Sequence, residues 1–309
     1  MTIESDAPEI YFTRRDLLML LGTAAAGGLA APRSAYGQAP GAAVPGQPLI
    51  ASTVQIDRMA GGVLLIAIDR VQAHNRIDIP TFSALGQAYY EFEHDDSLRV
   101  AVLYARGPDF SLGLDLPSWG ASLGAGPYKA PQNFLDPLST NGPQRSKPLV
   151  VAVQGRVTRI AHELFLAADV RIAAQSAVFN QGEVTAASFP GGGATVRFVR
   201  EAGWGNAMRY MLTGEDWHAD DAYRMGLVQE VTATGQQLDR AIDFAKRIAA
   251  AAPLGVRASL ASAHRALREG EQAAMSELQP EFARLFRSLD RNEYIRALRE
   301  KRIPVFIAR

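Results

Sequence analysis

Apolar residues recur along this chain in two alternating rhythms. Gly61 to Ile68 (GGVLLIAI) and Leu98 to Tyr104 (LRVAVLY) are short runs rich in Val, Ile and Leu, bounded by glycine or polar residues, and they read as buried strands. Between them Pro80 stands where a first helical turn tolerates it. Phe82, Leu85, Tyr89 and Phe92 then recur at three- and four-residue spacing, which predicts an amphipathic helix. Leu149 to Val153 and Val170 to Ala173 repeat the strand signal, with a helix predicted over Glu163 to Ala168. Strands alternating with helices predict an α/β fold with parallel strands. Residues 117–146 are dense in Pro, Gly, Ser and Asn and show no period, so a long surface loop of functional use is expected there. From Asp239 onward the pattern is helical alone: Ala241, Phe244, Ala245, Ile248 and Ala249, then Phe282 to Phe286, then Tyr294 to Leu298. An all-helical tail after an α/β core predicts a separate lobe used in assembly.

The N-terminal residues follow neither rhythm. Thr13-Arg14-Arg15-Asp16-Leu17-Leu18 leads into the apolar stretch Leu17 to Ala31, softened by Ala and Gly and too short to span a hydrocarbon core of ~30 Å. Ala35-Tyr36-Gly37 then supplies the small residues of a cleavage site. The order of basic region, apolar region and small-residue site resembles a twin-arginine export signal over residues 1–37. Export to the periplasm is therefore expected, with no stable membrane insertion after signal removal, and a cytoplasmic location if the signal is not used. The alternative is a frayed helix kept as an anchor.

Charge and cysteine content narrow the partners. The 309 residues carry 32 Lys plus Arg against 32 Asp plus Glu, and removal of residues 1–37 leaves +1. Neither balance gives the basic footprint that nucleic acid requires, so no nucleic-acid partner is expected. Zero cysteines exclude disulfides, thiolate nucleophiles and Cys-ligated zinc.

Four motifs carry candidate chemistry. Gly120-Ala121-Ser122-Leu123-Gly124 matches Gly-x-Ser-x-Gly, but a nucleophile elbow needs a strand before the serine and a helix after it, and neither neighbour fits. His162-Glu163 begins a His-Glu-x-x-His zinc helix, but position 166 is Leu, and His74, His94, His218 and His264 have no ligand spacing, so no metal is expected. Pro190-Gly191-Gly192-Gly193-Ala194-Thr195 precedes a helix, where amides could bind an anion, but no Gly-Lys-Ser/Thr follows and no Gly-x-Gly-x-x-Gly register exists, so a tight turn is expected instead. Glu163, in the apolar run Leu164-Phe165-Leu166-Ala167-Ala168, and Glu183, in a Gly-flanked segment after a strand, are the sharper pair. Carboxyls in apolar surroundings have raised pKa values and exchange protons near neutral pH.

Five motifs in order identify a family resemblance over nearly the whole chain after residue 37. Asp109-Phe110-Ser111-Leu112-Gly113-Leu114-Asp115-Leu116 resembles the Ala-Gly-x-Asp-Leu signature of the crotonase (enoyl-CoA hydratase/isomerase) superfamily. Lys147 to Gly155, running on to Glu163-Leu164 and Asp169, resembles its second signature, and Gly182-Glu183 with Phe189-Pro190-Gly191-Gly192-Gly193 its third. Leu212-Thr213-Gly214 with Ala219, Ala222, Gly226-Leu227-Val228 and Glu230-Val231 is similar to the fourth, and Arg296-Ala297 with Glu300-Lys301-Arg302 and Pro304-Val305-Phe306 to the C-terminal one.

The resemblance implies a spiral core of ββα turns over residues 38–238 and a helical lobe over 239–309 that packs in trimers or hexamers. It implies hydro-lyase chemistry on an α,β-unsaturated acyl thioester, with no cofactor other than the CoA of the substrate. The backbone N–H groups of Leu114 and Ile160 would form the oxyanion hole, a device worth a few kcal/mol per donor. Glu163 and Glu183 would be the catalytic pair. Ala73, His74, Asp115 and Leu116 would line the substrate, and Lys301 would reach the adenosyl end of CoA from a neighbouring subunit.

Two features stand apart from the pattern. Arg159-Ile160-Ala161 replaces the usual Gly-Gly-Gly, bringing a β-branched residue to the second donor and Arg159, with Arg156, near enough in sequence to favour ionised Glu163. Leu298 replaces an aromatic residue beside the CoA. An export signal on a CoA enzyme also raises a second expectation, an exported CoA-independent β-diketone (C–C) hydrolase of the same superfamily. A third is a catalytically inactive crotonase-fold binding module.

Overall fold

The computed structural model describes residues 53–123 and 128–309. The export-signal segment and Gly124 of the serine motif lie outside the described residues. Strand β1 (Val54–Met59) turns back on β2 (Val63–Ile68) as an antiparallel pair, and helix α1 (Ile79–His94) then carries the chain to β3 (Val100–Ala105). The Asp78 side chain caps α1 by accepting the Thr81 N–H at 2.8 Å, and Pro80 sits in its first turn as the sequence predicts. With β4 (Leu149–Val153), β6 (Val170–Ala174) and β9 (Glu230–Thr232), these strands form a six-stranded sheet in the order β1-β2-β3-β4-β6-β9, parallel from β2 onward.

Period-two alternation explains why its central strands are apolar throughout. Leu64, Ile66, Ile68, Leu103, Val151 and Val153 face one core, while Val63, Val100, Val102, Val150 and Ile172 face a second. Helix α7 (Gln237–Ala250), the first of the tail, covers that second face with Ala241, Ala245 and Ala249.

After β4 and again after β6 the chain leaves the large sheet. It adds β5 (Arg156–Thr158) and β7 (Val178–Asn180) to a three-stranded sheet completed by β8 (Trp217–His218). Each excursion is followed by helical structure: α3 (Ile160–Leu166) after β5, and α4 (Ala194–Ala202) with α5 (Trp204–Thr213) after β7. This is the ββα spiral, and the site lies where its turns meet. Helix α6 (Ala219–Arg224) leads to β9. The tail continues as α8 (Pro253–Glu269), α9 (Glu271–Ser276), α10 (Leu278–Phe286) and α11 (Leu289–Glu300). No helix among the described residues is long and apolar enough to cross a membrane.

One expectation is corrected. The segment read as loop from 117 opens as helix α2 (Leu116–Leu123), and its Trp119 is buried, with the indole Nε1 donating to the Ile77 carbonyl at 2.9 Å. Phe82 meets Trp119, Tyr128 and Phe134 with ring centroids 5.6, 5.3 and 5.9 Å away, so part of the supposed surface loop is a cluster of aromatic rings over α1. Ser122 of the serine motif lies within α2, where no elbow exists.

Candidate active site

Two backbone segments, one leading to Leu114 and the other to Ile160, meet at a parallel bridge. Ser111 N–H donates to Arg156 O at 2.9 Å and Thr158 N–H to Ser111 O at 3.1 Å, which pairs Ser111 with Val157 in parallel register. Leu114 and Ile160 each follow this bridge by three residues on their own segments. Gly113 keeps the segments close: its φ of 93° suits glycine, and a Cβ there would lie 3.1 Å from Thr158 O.

On its other side the Leu114 segment bridges Ile77, with Ile77 N–H donating to Gly113 O at 2.8 Å and Asp115 N–H to Ile77 O at 2.9 Å. Successive N–H groups of an extended segment point to opposite sides, so the Leu114 N–H is directed away from Ile77. Ile160 opens α3, where an N–H has no partner within the helix. Neither donor is taken by a hydrogen bond within the described residues.

Arg159 shapes this turn. It holds φ 57° and ψ −117°, a left-handed conformation that glycine adopts without strain, which explains why Gly-Gly-Gly is usual here and what the arginine costs.

Both glutamates are buried, and the charge of Glu183 acts on Glu163. Glu163 on α3 is 3% exposed, and its Oε1 accepts the N–H of Gly192 at 2.7 Å and of Ala194 at 3.1 Å. The anion at the glycine-rich turn is thus the Glu163 carboxylate itself. Burial is the largest influence on it and pushes its pKa up to about 7; the nearby Glu183 charge adds to the rise, and the two N–H groups with Arg197 oppose it. Burial likewise raises Glu183, against a hydrogen bond from Gln181 and the positive charge of Arg159. Glu183 Oε1 accepts from Gln181 Nε2 at 2.9 Å, while its buried Oε2 has no partner among the described residues.

Behind Glu183 lies a neutral buried chain. Gln181 Oε1 sits 2.5 Å from Nδ1 of His162. His162 is enclosed by the rings of Phe165, Phe179, Phe198 and Trp217, and burial pushes its pKa down to about 3. A neutral ring bonded to an amide oxygen must carry its proton on Nδ1, which fixes Gln181 with its NH2 toward Glu183.

The remaining expected site residues are only partly gathered. The Val71–Ala73 turn and His74 bond to the Leu114 segment through Leu112 N–H to His74 O at 3.2 Å, and His74 Nδ1 pairs with Asp109 at 3.0 Å. Asp115 accepts from the first turn of α2 and pairs with Arg70 at 2.7 Å, while Leu116 is exposed at the helix start. Lys301, exposed at the end of α11, belongs to the tail and takes no part in this network.

The electrostatic expectation for Glu163 is corrected. Arg156 pairs with Asp216 at 2.6 Å, Arg159 acts on Glu183, and the cation that acts on Glu163 is Arg197 from α4. Gln181 was not picked out from sequence, since a neutral amide leaves no charge pattern to read; the amides of the glycine-rich turn were noted, but not Glu163 as their partner.

The fold is that of the crotonase superfamily. Residues 58–309 match the family model of enoyl-CoA hydratase/isomerase, and the chain belongs to that family. It is 32% identical over 255 residues to enoyl-CoA hydratase EchA19 of Mycobacterium tuberculosis, covering 80% of this chain and 93% of that protein. It is 29% identical over 254 residues to 2,3-dehydroadipyl-CoA hydratase of Escherichia coli, covering 80% and 96%. A crystal structure of a probable enoyl-CoA hydratase/isomerase from Mycobacterium abscessus superposes with a TM-score of 0.81 at 44% identity, over 84% of this chain and 99% of that one.

Proposed function

We propose that the protein is a hydro-lyase that adds water to, or removes it from, the α,β double bond of an acyl thioester. The observation that carries this reading is that Glu163 and Glu183 are both buried and electrostatically coupled, the pKa of each raised by desolvation. In the hydration direction one carboxylate takes a proton from water as its oxygen bonds to Cβ. The π electrons pass to the thioester oxygen as an enolate, held by the Leu114 and Ile160 N–H groups. The second carboxyl gives its proton to Cα as the enolate collapses, and the net change is H and OH added across the bond.

The test is hydration of short (E)-2-enoyl-CoA thioesters by the wild type, Glu163→Gln and Glu183→Gln. Each substitution is expected to lower kcat by about 10²–10⁴. Unchanged turnover in both variants removes the proton-transfer roles.

Further parts of the reading are proposals as well. Residues 1–37 are a twin-arginine leader, 38–238 the catalytic core and 239–309 the assembly lobe. The tail leaves Leu278, Phe282, Phe286 and Leu289 exposed, an apolar face suited to trimers or hexamers in which Lys301 meets a neighbour's CoA. No cofactor is needed beyond the CoA of the substrate. The leader also supports a second activity, hydrolysis of free β-diketones outside the cytoplasm. N-terminal sequencing after cell fractionation, with assays on a β-diketone and an enoyl-CoA, separates the two.

A further inference from the structure

The Arg159 guanidinium has no hydrogen bond or ion pair with any described residue, although the side chain is half-buried and its Nε is closed off from solvent. Other guanidiniums in the interior are engaged. Arg145 binds Asp169 and the carbonyls of Lys147 and Ala167, Arg171 pairs with Glu201, and Arg197 donates to the carbonyls of Gly192 and Ser139. A half-buried cation without an acceptor is costly, and Arg159 adds the strain of φ 57° to that cost. Its position is functional: the residue directly precedes the Ile160 donor, and its own N–H is tied to Asn180 O at 2.8 Å, on the strand that leads into Gln181 and Glu183.

We infer that Arg159 receives a second anionic group of the substrate, an ionised carboxylate carried on the acyl chain. The inference rests on the hydro-lyase reading. The chemistry of the pocket favours this ligand, because two glutamates would repel an anionic acyl chain unless a cation offset them, and a guanidinium forks onto a carboxylate in two parallel hydrogen bonds. The charge of Arg159 acts on Glu183, the second of the two proposed proton-transfer groups. The phosphates of CoA have the same anionic chemistry, and the test separates the two sources.

The full-length protein is assayed on the matched five-carbon pair (E)-glutaconyl-CoA and (E)-pent-2-enoyl-CoA, which share CoA and differ in the carboxylate. The wild type is expected to prefer the carboxylated member in kcat/KM by about ten- to a hundredfold, the worth of one charge-assisted pair. Arg159→Met keeps the bulk, and Arg159→Gly relieves the backbone so that folding is protected. Both are expected to bring the ratio to within about threefold of unity, whatever happens to the absolute rates.

A wild-type ratio near unity, or a ratio that neither variant changes, overturns the inference. An equal fall on both substrates assigns the arginine to the CoA phosphates or the backbone and overturns it too. If the wild type turns over neither, the hydro-lyase reading fails by itself. The inference is then decided by calorimetric affinities for glutaryl-CoA and pentanoyl-CoA under the same ratios, and no binding of either overturns it.

Discussion

The Gly192 N–H donates to Oε1 of Glu163 at 2.7 Å, and a Cβ on Gly192 would stand 2.5 Å from Oε2 of the same carboxylate. Any side chain here must displace the carboxylate proposed to move a proton. Gly192→Ala is therefore expected to cost about 1–3 kcal/mol in stability and to lower kcat by about tenfold or more. Urea unfolding and steady-state kinetics check both numbers. A variant with wild-type kcat shows that the carboxylate has room to move.

Burial lifts Glu163 from an ordinary 4.5 to about 7. An acid raised in the folded state favours its protonated form. Its contribution to stability is whole below the unfolded value and is lost as pH rises through about 7. Replacing Glu163 by Gln removes that dependence. Unfolding free energies from pH 4.5 to 8 should thus diverge, with Glu163→Gln gaining on the wild type by up to about 3 kcal/mol toward high pH. A constant difference across the range contradicts the shift.

The His162–Gln181–Glu183 chain makes Gln181 a positioning residue. Gln181→Leu removes the donor to Glu183 and the acceptor of His162, and kcat is expected to drop by about ten- to a hundredfold with KM little changed. The same chain requires His162 to remain neutral and protonated on Nδ1 well below its ordinary value of 6.5, which its ring ¹⁵N shifts report. A titration near 6.5 would falsify the buried tautomer.

Arg145 is buried and joins Asp169 to the carbonyls of Lys147 and Ala167. Arg145→Met leaves the Asp169 charge unpaired and is expected to destabilise the fold by about 3–5 kcal/mol, read as a lowered midpoint in urea. A loss under about 1 kcal/mol means that water replaces the guanidinium.

Sedimentation of the wild type is expected to give a trimer or hexamer. The double variant Phe282→Glu and Phe286→Glu should reduce the mass, because a charge on each exposed ring is incompatible with a dry interface.

The sheet was legible because its central strands are apolar on both faces, so Val63 to Ile68 and Leu149 to Val153 stand out as unbroken runs. Helix α2 was not, since Pro117, Ser118 and Gly120 obscure a turn fixed mainly by the burial of Trp119 against distant Phe82. The start of α3 at Ile160, ahead of the expected Glu163, is set by the backbone of Arg159 rather than by a capping side chain, which leaves no sequence signal. The burial of Glu163 was legible from its apolar neighbours. Its electrostatic partners were misassigned because nearness in sequence favoured Arg156 and Arg159, whereas Arg197 reaches Glu163 from another helix.

The parallel register of Ser111 with Val157 has an evolutionary consequence. The two expected donors belong to the main chain, and each follows that bridge by three residues on its own segment. Such a site is robust to drift at its own positions. Arg-Ile-Ala can stand in place of Gly-Gly-Gly and leave the donors standing, which frees those side chains to be recruited for choosing among substrates while the chemistry is inherited unchanged.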